Sequence, residues 1–220
     1  MTATLRAWLT LEMMALYVAA PLGVYVLVHF YHTPLLMVFV PVALIYIAIL
    51  TADGAFIWRK VLTTGVTLAQ AFAIIGIFLL AGSAITWFAM ETVPARFLRF
   101  PRLVPELWLL IMIFYPLISV TTQEIMFRVF FFHRYRGLFG DRAWPLILLN
   151  AVLFSFAHII FQNWISIWMS FIGGLLFAWR YSRTGSFWAI AFEHAIYGDL
   201  IFTVGLGRYF YTGISNLNLG

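Results

Sequence analysis

Apolar positions run through this chain in seven long blocks, at roughly residues 13–30, 35–51, 67–90, 105–134, 144–161, 164–180 and 187–206. Each approaches the ~20 apolar residues that a helix needs to cross a bilayer. The pattern predicts an all-α fold: a polytopic membrane helix bundle with seven to eight transmembrane helices. The eighth depends on the fourth block, where Pro116 either kinks one long helix or divides it in two. The first block resembles a signal sequence at Ala19-Ala20. Its apolar run continues through Val28 behind a single Arg6, which predicts a retained helix. The stretch from Pro94 to Pro105 mixes basic and apolar residues, and is expected either to lie in the membrane interface or to be a plain connection. No polar stretch is long enough for a soluble domain, so residues 1–220 are expected to form one integral-membrane domain.

Composition sharpens this picture. The chain is 64% hydrophobic and 10% charged, with a mean hydropathy of +0.99. A soluble domain carries about a quarter charged residues. The 23 phenylalanines and nine tryptophans suit lipid-facing surfaces and interfacial belts. The absence of cysteine excludes thiolate metal sites and cysteine nucleophiles. A net charge of +5 fits short basic loops and gives no reason to expect a nucleic-acid partner. With seven helices, Arg6, Arg59, Lys60, Arg134, Arg136, Arg142, Arg180 and Arg183 fall on one side, and Arg96, Arg99, Arg102 and Arg208 on the other. The positive-inside rule then puts the N-terminus in the cytoplasm. The expected location is a bacterial cytoplasmic membrane.

The apolar pattern is broken at a few places, and these carry the candidate chemistry. The segment Thr121–Tyr135 holds Gln123, Glu124 and Arg128 in an otherwise apolar run. A charge at membrane depth is costly and persists only if paired or in a wet cavity. Glu124 and Arg128 are four apart and can pair on one helix face. His158 follows Phe154 by four residues and Asn150 by eight, so all three share one side of the next helix. Glu193 and His194 lie in the last block, with Asp199 beyond them. At a rise of ~1.5 Å per residue, Glu124, His158 and His194 lie about 15, 20 and 10 Å from the predicted cytoplasmic ends of their helices. They are therefore expected to meet in one cavity. A lone histidine in a span often only binds a neighbouring helix. One carboxylate and two imidazoles from three spans suggest a reactive centre instead.

Such a set could activate a water and support an oxyanion. It could equally hold a divalent metal such as zinc, with Glu124, His158 and His194 as ligands, although no HExxH motif is present. Both routes hydrolyse an amide. The same residue types also serve proton relays in transporters, with Glu124 and Asp199 as carriers.

The order of these motifs resembles the CPBP family of intramembrane proteases, the CAAX prenyl endopeptidase and bacteriocin-processing (Abi) proteins. That family carries Glu-Glu-x-x-x-Arg, then Phe-x-x-x-His, then His-x-x-x-Asn/Asp. Here the segments are Gln123-Glu124 to Arg128, Phe154 to His158, and His194 to Gly198 with Asp199 one place late. The resemblance covers roughly residues 103–210. It implies a water-activating role for His158 and for the first glutamate, and an oxyanion-supporting role for His194 and the residue four beyond it. Gln123 replaces that first glutamate, so Glu124 or Glu193 would have to supply the carboxylate. Gly198 has no side chain to donate, which leaves Asp199 as a stand-in. The activity expected from this likeness is an intramembrane endopeptidase, metal-dependent or metal-free, acting on a membrane-embedded or lipidated peptide. Two alternatives stay open: a relative that only binds membrane peptides or lipids, and a small proton-coupled transporter.

Overall fold

The computed structural model describes residues 1–211, which are helical with no strand among them. Residues 212–220 of the expected domain lie outside the described residues. Seven long helices follow one another: α1 (Ala3–His29), α2 (Leu35–Ala52), α3 (Leu68–Thr92), α4 (Pro105–Phe139), α5 (Ala143–Phe161), α6 (Trp164–Thr184) and α7 (Phe187–Thr203). The first five are long and apolar enough to cross a membrane. Helices α6 and α7 carry Arg180, Arg183, Glu193 and Asp199, and α7 has only 17 residues. Pro116 does not divide the fourth block, because α4 runs unbroken over 35 residues. The Pro94–Pro105 connection has short helical structure of its own. It folds into a 3-10 turn at Pro94–Arg96 and a short helix at Arg99–Leu103.

Helix ends depart from the apolar blocks where capping chemistry sets them. Helix α1 starts ten residues early because the Thr2 hydroxyl accepts from Leu5 N at 3.3 Å. Asn163 and Ser186 cap α6 and α7 in the same way. Helix α6 stops at Gly185, whose φ of 62° suits the left-handed C-cap.

Two six-residue stretches of α4, Tyr115–Val120 and Ile125–Phe130, adopt the wider π form. Such turns are rare and misalign backbone groups that must find partners elsewhere, above all in lipid. Inside the second turn, the Met126 carbonyl accepts from the Tyr17 hydroxyl of α1 at 2.5 Å. The adjoining Phe127 carbonyl accepts from Asn150 of α5, also at 2.5 Å. Tyr17 is fully buried, with edge-on contacts to Tyr46, Phe127, Phe131 and Tyr135 at 5.2–6.0 Å. Helices α1, α2, α4 and α5 thus share one aromatic core.

At the far end of α4, Arg134 makes a two-pronged bond to Glu12, with both arms at 2.8 Å. Asp53 meets His133 at 3.0 Å. The Ala55 amide, and then His133, hold the Asp53 carboxyl below its usual range. Helices α5 and α6 pack closely: a Cβ at Gly174 would lie 3.1 Å from the Ala151 Cα. A small residue there lets the two backbones approach.

Candidate functional site

Glu124 follows the first π stretch on α4 and is completely buried. One carboxylate oxygen, Oε1, lies 2.7 Å from His194 Nδ1 on α7. The other, Oε2, faces Arg128 Nε at 3.3 Å. The expected Glu124–Arg128 pair is therefore present, but it is not the directed charge-assisted bond that four-residue spacing suggests. No nitrogen of the Arg128 guanidinium has a hydrogen-bond partner among the described residues. Arg128 is held by charge and by ring faces, with its Cζ 4.3 Å above Phe154 and 5.4 Å from Phe177. A desolvated cation–π contact of this kind is worth about 2 kcal/mol.

The two imidazoles both pack against the same phenylalanine. His158 packs against Phe154 at 4.7 Å between ring centres, and His194 does so at 5.9 Å. His158 Nδ1 lies 2.7 Å from the Phe154 carbonyl, which can only accept, so that nitrogen carries the proton. A neutral His158 therefore presents a lone pair at Nε2. His194 is fixed by Glu124 at Nδ1, by the Tyr115 hydroxyl 3.3 Å from Nε2, and by Phe177 stacked 4.7 Å away at 22°. The site has one carboxylate–imidazole pair, a second imidazole one ring away, and a guanidinium over the shared Phe154 ring.

The other candidates take different places. Gln123 is turned to Ser119, one turn back on α4, at 2.8 Å. Asn150 is a fastener for the π turn, not a member of the reactive set. Glu193 cannot serve as a substitute carboxylate, because both its oxygens bind Arg180 of α6 in a buried pair. Asp199 makes no bond to Glu124, His158 or His194, and its Oδ1 has no partner. Tyr115 and Phe177 were not foreseen from the sequence. Both lie in apolar runs where an aromatic residue is ordinary, and the one local signal was the hydroxyl of Tyr115 beside Pro116.

Among the described residues no group of three His, Asp or Glu is placed to ligate a metal ion. The two oxygens of Glu124 face His194 and Arg128.

Fold and site together define an integral-membrane helical protein with ionisable groups gathered in its interior. Comparison narrows the class: residues 105–198 match the family model of type II CAAX prenyl endopeptidase Rce1-like proteins. The matched segment is thus similar to the CAAX-protease family, and it contains Glu124, Arg128, His158 and His194. No curated protein and no solved structure matches the chain.

Proposed function

We propose that the chain is an intramembrane endopeptidase that hydrolyses a peptide bond in a membrane-embedded or lipidated peptide. The observation that carries this reading is the junction of α4, α5 and α7 at Phe154, where His158 and the Glu124-bound His194 both meet one ring. Helices α6 and α7 complete a seven-span bundle around it. In this reading His158 Nε2 takes a proton from water as the water oxygen bonds to the scissile carbonyl carbon. The C–N bond then breaks, and the proton passes to the departing amine. Glu124 does not act as the base. Its carboxylate fixes His194 at the site where negative charge builds on the carbonyl oxygen, and Arg128 is the opposite charge that accompanies it in the interior. The water-activating role thus moves to the imidazole whose tautomer is fixed by a backbone carbonyl. Gln123 is dispensable for this chemistry, and no metal ligand is needed.

The test is cleavage of a quenched fluorogenic peptide ending in a farnesylated CAAX motif, by protein reconstituted in liposomes. The wild type is expected to cleave it, with and without prior chelator treatment. His158→Ala and Glu124→Gln are each expected to lower the rate at least ~10²-fold while the protein stays folded. No cleavage by the wild type, or full cleavage by His158→Ala, overturns the reading.

A further inference from the structure

Gly198 lies one turn beyond His194 on α7, and its surroundings are filled from another helix. A Cβ added at Gly198 would overlap both the ring and the hydroxyl of Tyr115 on α4. Glycine is the residue that leaves room for this phenol. The Tyr115 hydroxyl lies 3.3 Å from His194 Nε2, on the edge of the imidazole away from Glu124. The Tyr115 ring also packs edge-on against Phe202 at 5.2 Å, which limits its swing. The hydroxyl is thus delivered to the Nε2 edge of His194 by sterics as well as by hydrogen bonding.

We propose that Tyr115 is a further catalytic residue, its hydroxyl donating to the oxyanion in place of a side chain that Gly198 cannot supply. The proposal rests on the endopeptidase reading. A phenol offers one donor and two acceptor lone pairs. With Nδ1 of His194 held on Glu124, the phenol oxygen rests 3.3 Å from Nε2, and its proton turns from that nitrogen to the carbonyl oxygen as charge builds there. Glu124, His194 and Tyr115 then form one chain of hydrogen bonds ending at the substrate carbonyl. As water adds, the electron pair of the C=O bond moves onto oxygen and meets that proton. No bond in Tyr115 breaks, and the donor is restored when the carbonyl re-forms. A phenol in an α4 π turn and a glycine on α7 therefore act as one exchange, moving the donor from one helix to another.

The experiment compares Tyr115→Phe, Gly198→Asn, and the double variant Tyr115→Ala/Gly198→Asn with the wild type, using the same farnesylated peptide. Tyr115→Phe keeps the ring and removes the donor, and is expected to lower kcat by about 10²-fold with KM little changed. Gly198→Asn alone is expected to lower the melting temperature in detergent through the clash. In the double variant the space is free, and the amide is expected to recover at least about tenfold in kcat over Tyr115→Ala. A wild-type rate in Tyr115→Phe overturns the proposal and leaves the endopeptidase reading standing. Equal melting temperatures for Gly198→Asn and wild type also overturn it, because the coupling would be absent. If the wild type cleaves nothing, both readings fall together.

Discussion

Arg128 shows how much a single residue can reveal in an apolar run. A guanidinium with no exposed surface and no hydrogen-bond partner owes its place to Glu124 and to the Phe154 ring. Removing one partner of a buried ion pair costs about 3–5 kcal/mol, because the other charge is left stranded. Arg128→Ala is therefore expected to lose about that much stability, measured by thermal denaturation in detergent. Arg128→Met combined with Glu124→Gln should recover part of the loss without activity. A fully stable Arg128→Ala would contradict the pairing. Glu124, Arg128, His158 and His194 were legible in the sequence because lipid makes any ionisable group conspicuous. Tyr115 was not legible, since its meaning depends on the missing side chain of Gly198 on another helix. Glu193 looked equally conspicuous, and the structure pairs it with Arg180 on α6, which the sequence did not announce.

At the scale of elements, the Arg180–Glu193 pair joins α6 to α7 with neither side chain more than marginally exposed. Glu193 directly precedes His194 on α7, so its two bonds hold the two helices in register beside the His194 pair. Glu193→Gln is expected to destabilise the protein by about 3 kcal/mol, while Arg180→Met with Glu193→Leu should be close to neutral. Chemical denaturation of the three proteins in the same detergent checks this, and a neutral single variant would refute it. Hydropathy placed all seven helices, since the apolar blocks are long. It missed the ends, which Thr2, Asn163, Ser186 and Gly185 determine through hydrogen bonds and backbone geometry. It also gave no sign of the two π turns in α4, the second of which takes donors from other helices.

Across the whole molecule, the N-terminal helices are tied to the matched segment by polar contacts that the sequence did not announce. Glu12 and Asp53 engage Arg134 and His133 at the end of α4. Asp53 is ionised more readily in the folded protein than in the unfolded chain, so its contribution is complete above the ordinary carboxylate range. That contribution fades as pH falls toward its lowered value. Asp53→Asn is expected to melt slightly below the wild type at neutral pH, with the two melting curves converging from about pH 4 downward. A gap that persists in acid would remove the carboxylate from the account.

The hydroxyl of Tyr17 on the Met126 carbonyl has its own consequence for where a unit of this architecture begins. That bond comes from α1, outside residues 105–198, as does the His29 contact to the Ile160 carbonyl at 2.7 Å. An excised piece spanning only the matched residues would carry the reactive side chains yet lack the struts that brace the backbone on both flanks. Transplanting the chemistry into another scaffold therefore means transplanting the leading helix with it.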